Sequence, residues 1–277
     1  MGHAYFTPDA LKSPSVLNIT GTANDDRLLA LAEAASGAID RWCNRHFYAR
    51  RATIRLDGNG ESAIGVPDLV SVDSVRIYGG ISGPATLWSA DDYDLLPYDA
   101  DPASAGNPYS RPYTRLLATG AASGKAIFPV GRGNVAVEGL WGWWQHLRRI
   151  SRIVGANAGA DALTISLSAV VSGSAEIGAG STLLIGNEQL YVQARDGDTL
   201  AVRRGVNGTT AASIAQNAPI DIYDYPSPVR EAALLLAVRL WHGARGGVDD
   251  WQASEIGMDS DIALLLGAYR KPALGVF

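Results

Sequence analysis

The sequence predicts an α+β protein, with helices toward both ends, short antiparallel strands between them, and a separate all-β segment over residues 150–225. Three observations predict it. Apolar residues recur at alternating four- and three-residue spacing over Asn24–Phe47 and again after Ser227. Short alternating runs bounded by turn residues fill the stretch from 51 to 138. From Ile150 to Tyr225 the composition shifts to Gly, Ala, Ser and Thr, with almost no helical period. At 277 residues the chain suits one large domain or two smaller ones. The reading is one domain of residues 1–149 with 226–277, interrupted by a small all-β domain of residues 150–225.

In the first helix, Leu28, Ala32, Ala35, Ile39, Trp42 and His46 lie on one face, with Leu31 and Cys43 beside them. Asn24 or Asp25 is the expected cap, and Arg41 and Arg45 complement the C-terminal end of the dipole. Strands are expected at Arg51–Leu56, Ser74–Tyr78, Tyr93–Leu96, Arg115–Leu117, Lys125–Phe128 and Asn134–Glu138. Asp57-Gly58-Asn59-Gly60 marks a turn after the first of them, and Asp99–Pro112 reads as a long loop. In the all-β segment the expected strands are Leu163–Leu167, Thr182–Ile185, Glu188–Ala194, Thr199–Arg203 and Pro219–Tyr223. Asp196-Gly197 gives a hairpin turn and Asn207-Gly208 another. Ser227-Pro228 then opens a helix lined by Val229, Ala232, Ala233, Leu236, Ala237 and Leu240, with Gly246-Gly247 at its end. A last short helix begins near Asp259 or Ser260, carries Ile262, Leu265, Leu266 and Tyr269, and stops before Pro272.

Composition narrows the function classes. Hydrophobic residues are 47% and charged residues 18%, which suits a folded chain. The formal charge of −5 weighs against a surface built wholly to grip nucleic acid, which needs a dense cationic footprint. A single cysteine, Cys43, forbids an internal disulfide. The longest apolar run, Ala232–Trp241, is broken by Arg239, so no membrane span is expected. The N-terminal residues lack the basic and apolar regions of a signal peptide.

Chemistry-bearing patterns are sparse. The four histidines, His3, His46, His146 and His242, have no zinc spacing, and no cofactor or metal is expected. Gly58-Asn59-Gly60-Glu61-Ser62-Ala63 opens like a dinucleotide fingerprint but fails at its sixth position and leads into a strand. The clusters Asp91-Asp92-Asp94 and Asp249-Asp250 read as loop acids that cap turns, not as a facing catalytic pair. Cys43 on the apolar stripe reads as packing. Arg50-Arg51 and Arg203-Arg204 read as surface pairs. No catalytic residue is expected. The most unusual run is Trp141-Gly142-Trp143-Trp144-Gln145-His146-Leu147-Arg148-Arg149-Ile150-Ser151-Arg152. Aromatics beside arginines stack single-stranded nucleic acid. The favoured account is architectural: Trp141 and Trp143 close a core, the arginines form a polar junction, and Trp143, Trp144, Arg148 and Arg149 are candidates for a subunit contact. The apolar segment Ala273-Leu274-Gly275-Val276-Phe277 is a candidate arm, with Leu274, Val276 and Phe277 as anchors.

Both ends of the sequence resemble the head–tail connector (adaptor) proteins of tailed bacteriophages and phage-like particles. The residues that carry the resemblance are Asp25-Asp26-Arg27-Leu28-Leu29 with Ile39-Asp40-Arg41-Trp42-Cys43-Asn44-Arg45-His46-Phe47. They continue with Val72–Tyr78, Asp92-Tyr93 and Val135–Trp143. The matching Pro-capped helix, Pro228–Ala233, follows only after residues 150–225, so that segment reads as an insertion. Asp259–Leu265 and Tyr269–Pro272 resemble the family's closing element. The inserted segment is similar to small β modules of phage structural proteins through Leu184–Glu188 and Arg204–Thr210.

The resemblance implies an α-helical connector core with a small antiparallel sheet. It implies a non-enzymatic virion protein at the head–tail junction, assembled in the host cytoplasm. The implied partners are its own copies in a dodecameric ring, the portal protein, and a stopper or tail-terminator neck protein, with double-stranded DNA passing through the lumen and no membrane involved. Two alternatives stand beside it: a tail or baseplate protein whose β domain binds host surface carbohydrate, and an enzyme acting on cell-wall glycan with an acidic pair.

Overall fold

The computed structural model describes residues 3–79, 83–104, 107, 110–168, 177–243 and 260–271. The expected α-helical core with a small sheet is overturned. The described chain is mostly β, with two antiparallel sheets of six strands each. Its four α-helices are α1 (Pro8–Lys12), α2 (Asp25–Cys43), α3 (Ser227–Gly243) and α4 (Ser260–Leu266), and only α2 and α3 are long. The physical reason is range. Helical periodicity is local and legible, whereas these sheets join strands far apart in sequence.

The described residues form two compact units, Phe47–His146 and Met1–His46 with Leu147–Phe277. The Phe47–His146 unit holds β1 (Arg50–Gly58), β2 (Ala63–Tyr78), β3 (Ala85–Trp88), β4 (Tyr93–Leu96), β5 (Tyr113–Ala118) and β6 (Gly131–Trp141). Their order is β1-β6-β2-β5-β4, with β3 also paired to β2. β1 and β2 are consecutive yet not neighbours, because β6 lies between them, with Ile54 opposite Val137 and Val137 opposite Val75. The turn at 57–60 therefore closes no hairpin. Gly58 is required there by close approach: a Cβ on it would lie 1.9 Å from the Pro129 carbonyl oxygen. That explains the glycine of the Gly58-Asn59-Gly60 sequence structurally. β2 contains Pro67, which has no N–H for a ladder. The strand absorbs it at an irregularity between Gly65 and Leu69, where pairing with β5 shifts register. Lys125–Phe128 is not a strand; Lys125 makes only an isolated bridge to Gly120. The inner face packs Leu69, Val75, Leu116, Val135, Val137 and Trp141, with the Trp88 and Phe128 rings stacked at 5.0 Å. Trp141 donates its indole N–H to the Ala52 carbonyl at 2.9 Å.

The other unit carries β7 (His146–Ile153), β8 (Thr164–Ser166), β9 (Thr182–Ile185), β10 (Glu188–Asp196), β11 (Thr199–Arg203) and β12 (Pro219–Asp224). The order is β7-β12-β9-β10-β11-β8. Five strands match the expectation; β7, under the Trp/Arg run, is additional. Leu183, Ile185, Leu190, Val192, Leu200, Val202 and Ile220 form its core. The Asp196-Gly197 turn joins β10 to β11, with Asp196 opposite Thr199.

The helices belong to this same unit. α2 buries Leu28, Leu31, Ala32, Ala35, Ser36, Ile39 and Cys43. Its stripe passes through Cys43 rather than Trp42, which is half-buried with the Arg270 guanidinium 4.9 Å above its ring. Asn44 takes the left-handed conformation at φ 52° and ends the helix, so His46 lies beyond it. α2, α3 and α4 pack together. The Lys271 N–H donates to the Cys43 carbonyl at 2.9 Å, and Arg239 pairs with Asp261 at 2.6 Å. The β10 side chain Tyr191 donates its hydroxyl to Glu33 of α2 at 2.7 Å. Burial and that carboxylate push the Tyr191 phenol well above its ordinary pKa.

Candidate functional site

The Trp/Arg run resolves into a strand with paired charges. β7 places Arg148 against Asp224, with Nε 2.7 Å from Oδ2, and Arg149 against Asp221, with Nη2 3.0 Å from Oδ2; both acids lie on the neighbouring strand β12. Arg152 reaches Asp198 at 2.6 Å, at the turn between β10 and β11. These pairs run along one sheet, as a polar seam does. Trp143 is half-buried and donates its indole N–H to the Ser110 carbonyl at 2.9 Å, while Trp144 is 2% exposed. Arg149 is the most open of the predicted contact residues in this run. Leu274, Val276 and Phe277 lie outside the described residues, as do Asp249 and Asp250.

Sequence reasoning missed the densest polar cluster. Arg204 is not on the surface: its side chain is 5% exposed and that of Glu188 2%. Arg204 grips Glu188 in a fork, Nε to Oε1 and Nη2 to Oε2, each 2.7 Å. The Gly205 and Ala212 amides donate to the same carboxylate at 2.9 and 3.0 Å. Arg204 Nη1 also donates to the carbonyls of Gly159 and Ala162 at 2.7 and 3.1 Å. Burial alone would raise the Glu188 pKa, but the Arg204 and amide hydrogen bonds outweigh it and hold the carboxyl below its usual range. The next residues complete a cradle. Gly205 has φ 57°, close under the Ala211 amide, Asn207 donates to the Gln189 side chain at 2.9 Å, and Thr209 Oγ1 accepts from the Gln189 N–H at 3.0 Å. The signal was present, since Glu188 and the run Arg204–Thr210 are the segments that resemble phage β modules. Their polar atoms hold two loops together.

Of the acids and the thiol singled out in the sequence, Asp92, Asp94 and Cys43 are held as follows. Asp92 is buried and accepts from Lys125 Nζ at 2.6 Å, from the Ser89 amide and hydroxyl at 2.7 Å each, and from Ser123 at 3.0 Å. The Lys125 and Ser89 bonds hold its carboxyl far below the ordinary range. It caps a single 3-10 turn, Ala90–Asp92. Asp94 accepts from the Tyr98 hydroxyl at 2.9 Å. The Cys43 thiol is fully buried, and desolvation pushes its pKa up to about 12, the opposite of an activated nucleophile. Among the described residues no group of three or more His, Cys, Asp or Glu side chains is placed to hold a metal ion. No described helix is long and apolar enough to cross a membrane. A groove of about 480 Å³ lies between the start of α2 and the β10–β11 hairpin, lined by Lys12, Asp25, Asp26, Leu29, Ile177 and Arg195. Lys12 already pairs with Asp25, and Arg195 donates to the Ile177 carbonyl.

No protein-family model and no curated protein matches the chain. Solved structures similar over nearly its whole length include the following two. One is a chain of the neck of an empty GTA particle computed with C6 symmetry, with 15% identity, a TM-score of 0.44, and 99% of this chain and 93% of that one covered. The other is a chain of the virion of a native gene transfer agent (GTA) particle, with 13% identity, a TM-score of 0.43, and 98% and 89% covered. Likeness at these values carries no argument about role.

Proposed function

We propose that this chain is a structural, non-enzymatic protein of the neck of a tailed-phage-like particle, a head–tail connector that forms a ring below the portal and lets DNA pass. The observation that supports this reading is the meeting of the two segments that carry the connector resemblance. The helix at 25–43 and the closing segment at 260–271 are separated by most of the chain. Within one unit they are joined by the Lys271–Cys43 backbone bond and by Arg270 over Trp42. The net negative charge suits a lumen through which DNA slides without sticking.

The proposed partners are further copies of the chain, the portal protein and the next neck protein. We assign Leu274, Val276 and Phe277 to an arm that orders on the portal, at a cost in conformational entropy. Trp143 and Arg149 are assigned to a subunit contact. Residues 150–225 are proposed as an insertion into a connector core of 1–149 with 226–277. The test is complementation. Cells making particles without this chain should accumulate DNA-filled heads and unattached tails, and purified chain added to the extract should join them. Chain lacking residues 273–277 should melt at an unchanged temperature yet join them poorly. Normal joining without the chain, or heads joined but unable to bind host glycan, refutes the connector reading.

A further inference from the structure

In the Phe47–His146 sheet, β1 and β4 are the two ends of the strand order. β1 runs nine residues in regular antiparallel pairing with β6, and no described strand lies along its other side. Alternate residues there turn N–H and C=O groups outward. β4 pairs with β5 from Tyr93 opposite Ala118 to Leu96 opposite Arg115, and no described strand lies beyond it. Unpaired edges of this kind template further strands.

The two edges differ in charge. β1 carries Arg50, Arg51 and Arg55 against one acid, Asp57. The stretch 89–101, which contains β4, carries Asp91, Asp92, Asp94, Asp99 and Asp101 and no Lys or Arg. Arg51 already engages Asp73, and Lys125 and Arg111 engage Asp92 and Asp99. Exposed Asp91 and half-buried Asp94 have no described cation, and exposed Arg50 has no described acid. One edge of the sheet is thus basic and the other acidic.

Resting on the ring reading above, we infer that the occupant of each edge is a second copy of this chain, with the β1 edge of one copy meeting the β4 edge of the next. Such a contact is heterologous. It continues the sheet from subunit to subunit, and it closes into a ring when the rotation between copies allows. Opposite charge across the contact sets direction and partner choice.

The test uses full-length protein and sedimentation velocity over a concentration series. The expected result is that Arg50→Glu and Asp94→Arg each weaken self-association about tenfold, because each sets like charges against one another across the contact. An equimolar mixture of the two variants should recover wild-type association, because alternating copies restore opposite charge at every contact. Circular dichroism and melting of each variant should match wild type. If wild type forms rings and neither variant alters them, the edge contact is overturned while the ring reading stands. If Arg50→Glu weakens association, Asp94→Arg does not, and the mixture gives no recovery, the contact is β1 against β1 and the inference is again overturned. A wild-type chain that stays monomeric throughout overturns the ring reading itself.

Discussion

Arg204 and Glu188 are each almost fully removed from water, and their charged atoms bond to one another and to backbone groups of the β7–β12 unit. Removing one partner leaves the other buried and uncompensated. Glu188→Ala should therefore cost about 3–5 kcal/mol in chemical denaturation, and a loss below 1 kcal/mol would mean the pair is hydrated. The pH dependence has a fixed sign. A carboxyl held below its unfolded value binds protons more weakly when folded, so its contribution is present above the unfolded Glu pKa of about 4.3. It is lost as pH falls through the folded value. Wild type should lose stability below about pH 4.3 more steeply than Glu188→Gln, and parallel curves would contradict the assignment. Cys43 gives a second check. With its thiol buried and its pKa near 12, it should not react with a thiol reagent at pH 8 until the protein is unfolded.

The helix α2 shows how far residue spacing leads. Its periodicity was legible because i, i+3 and i+4 contacts are local, and the stripe Leu28–Ala32–Ala35–Ile39 is buried as that spacing requires. The error lies at the end, where steps of three and four make Trp42 and Cys43 equally good continuations; Cys43 is the buried one, and Trp42 lies half-buried under Arg270. Trp42→Ala should then cost only about 1–2 kcal/mol, because it loses a half-buried ring and one cation–π contact. Trp141→Ala, in the Phe47–His146 core, should cost about 3–5 kcal/mol. Equal losses would redraw both assignments. Strands β4, β9 and β11 were legible to the residue, since turn residues bound each of them. β2 was read only as Ser74–Tyr78 because Gly65, Pro67 and Asp68 look like a loop; a register shift lets the strand run through them. β7 was hidden because its arginines read as a polar junction, although Arg148, Ile150 and Arg152 alternate as a strand does and the acids that pair with the two arginines lie far along the chain. Glu188 with Arg204 was hidden likewise: nothing in either local sequence names the other.

For the whole molecule, the sequence showed two helical ends and strands between, but not that β6 separates β1 from β2 or that sheets outweigh helices. Those facts depend on pairing across long separations, which carries no local period. The Phe47–His146 unit contains its own core around Trp141, Trp88 and Phe128, so expressed alone it should unfold in one cooperative transition. Aggregation or a molten state would show that it borrows stability from elsewhere in the chain. The central claim concerns place. It is tested most directly by cryo-electron microscopy of intact particles at a resolution that traces strands. The account predicts a ring of copies between portal and tail, with two six-stranded sheets in each copy and DNA along the axis. Density for this chain at the distal tail tip or in the capsid shell, and none at the neck, would contradict it.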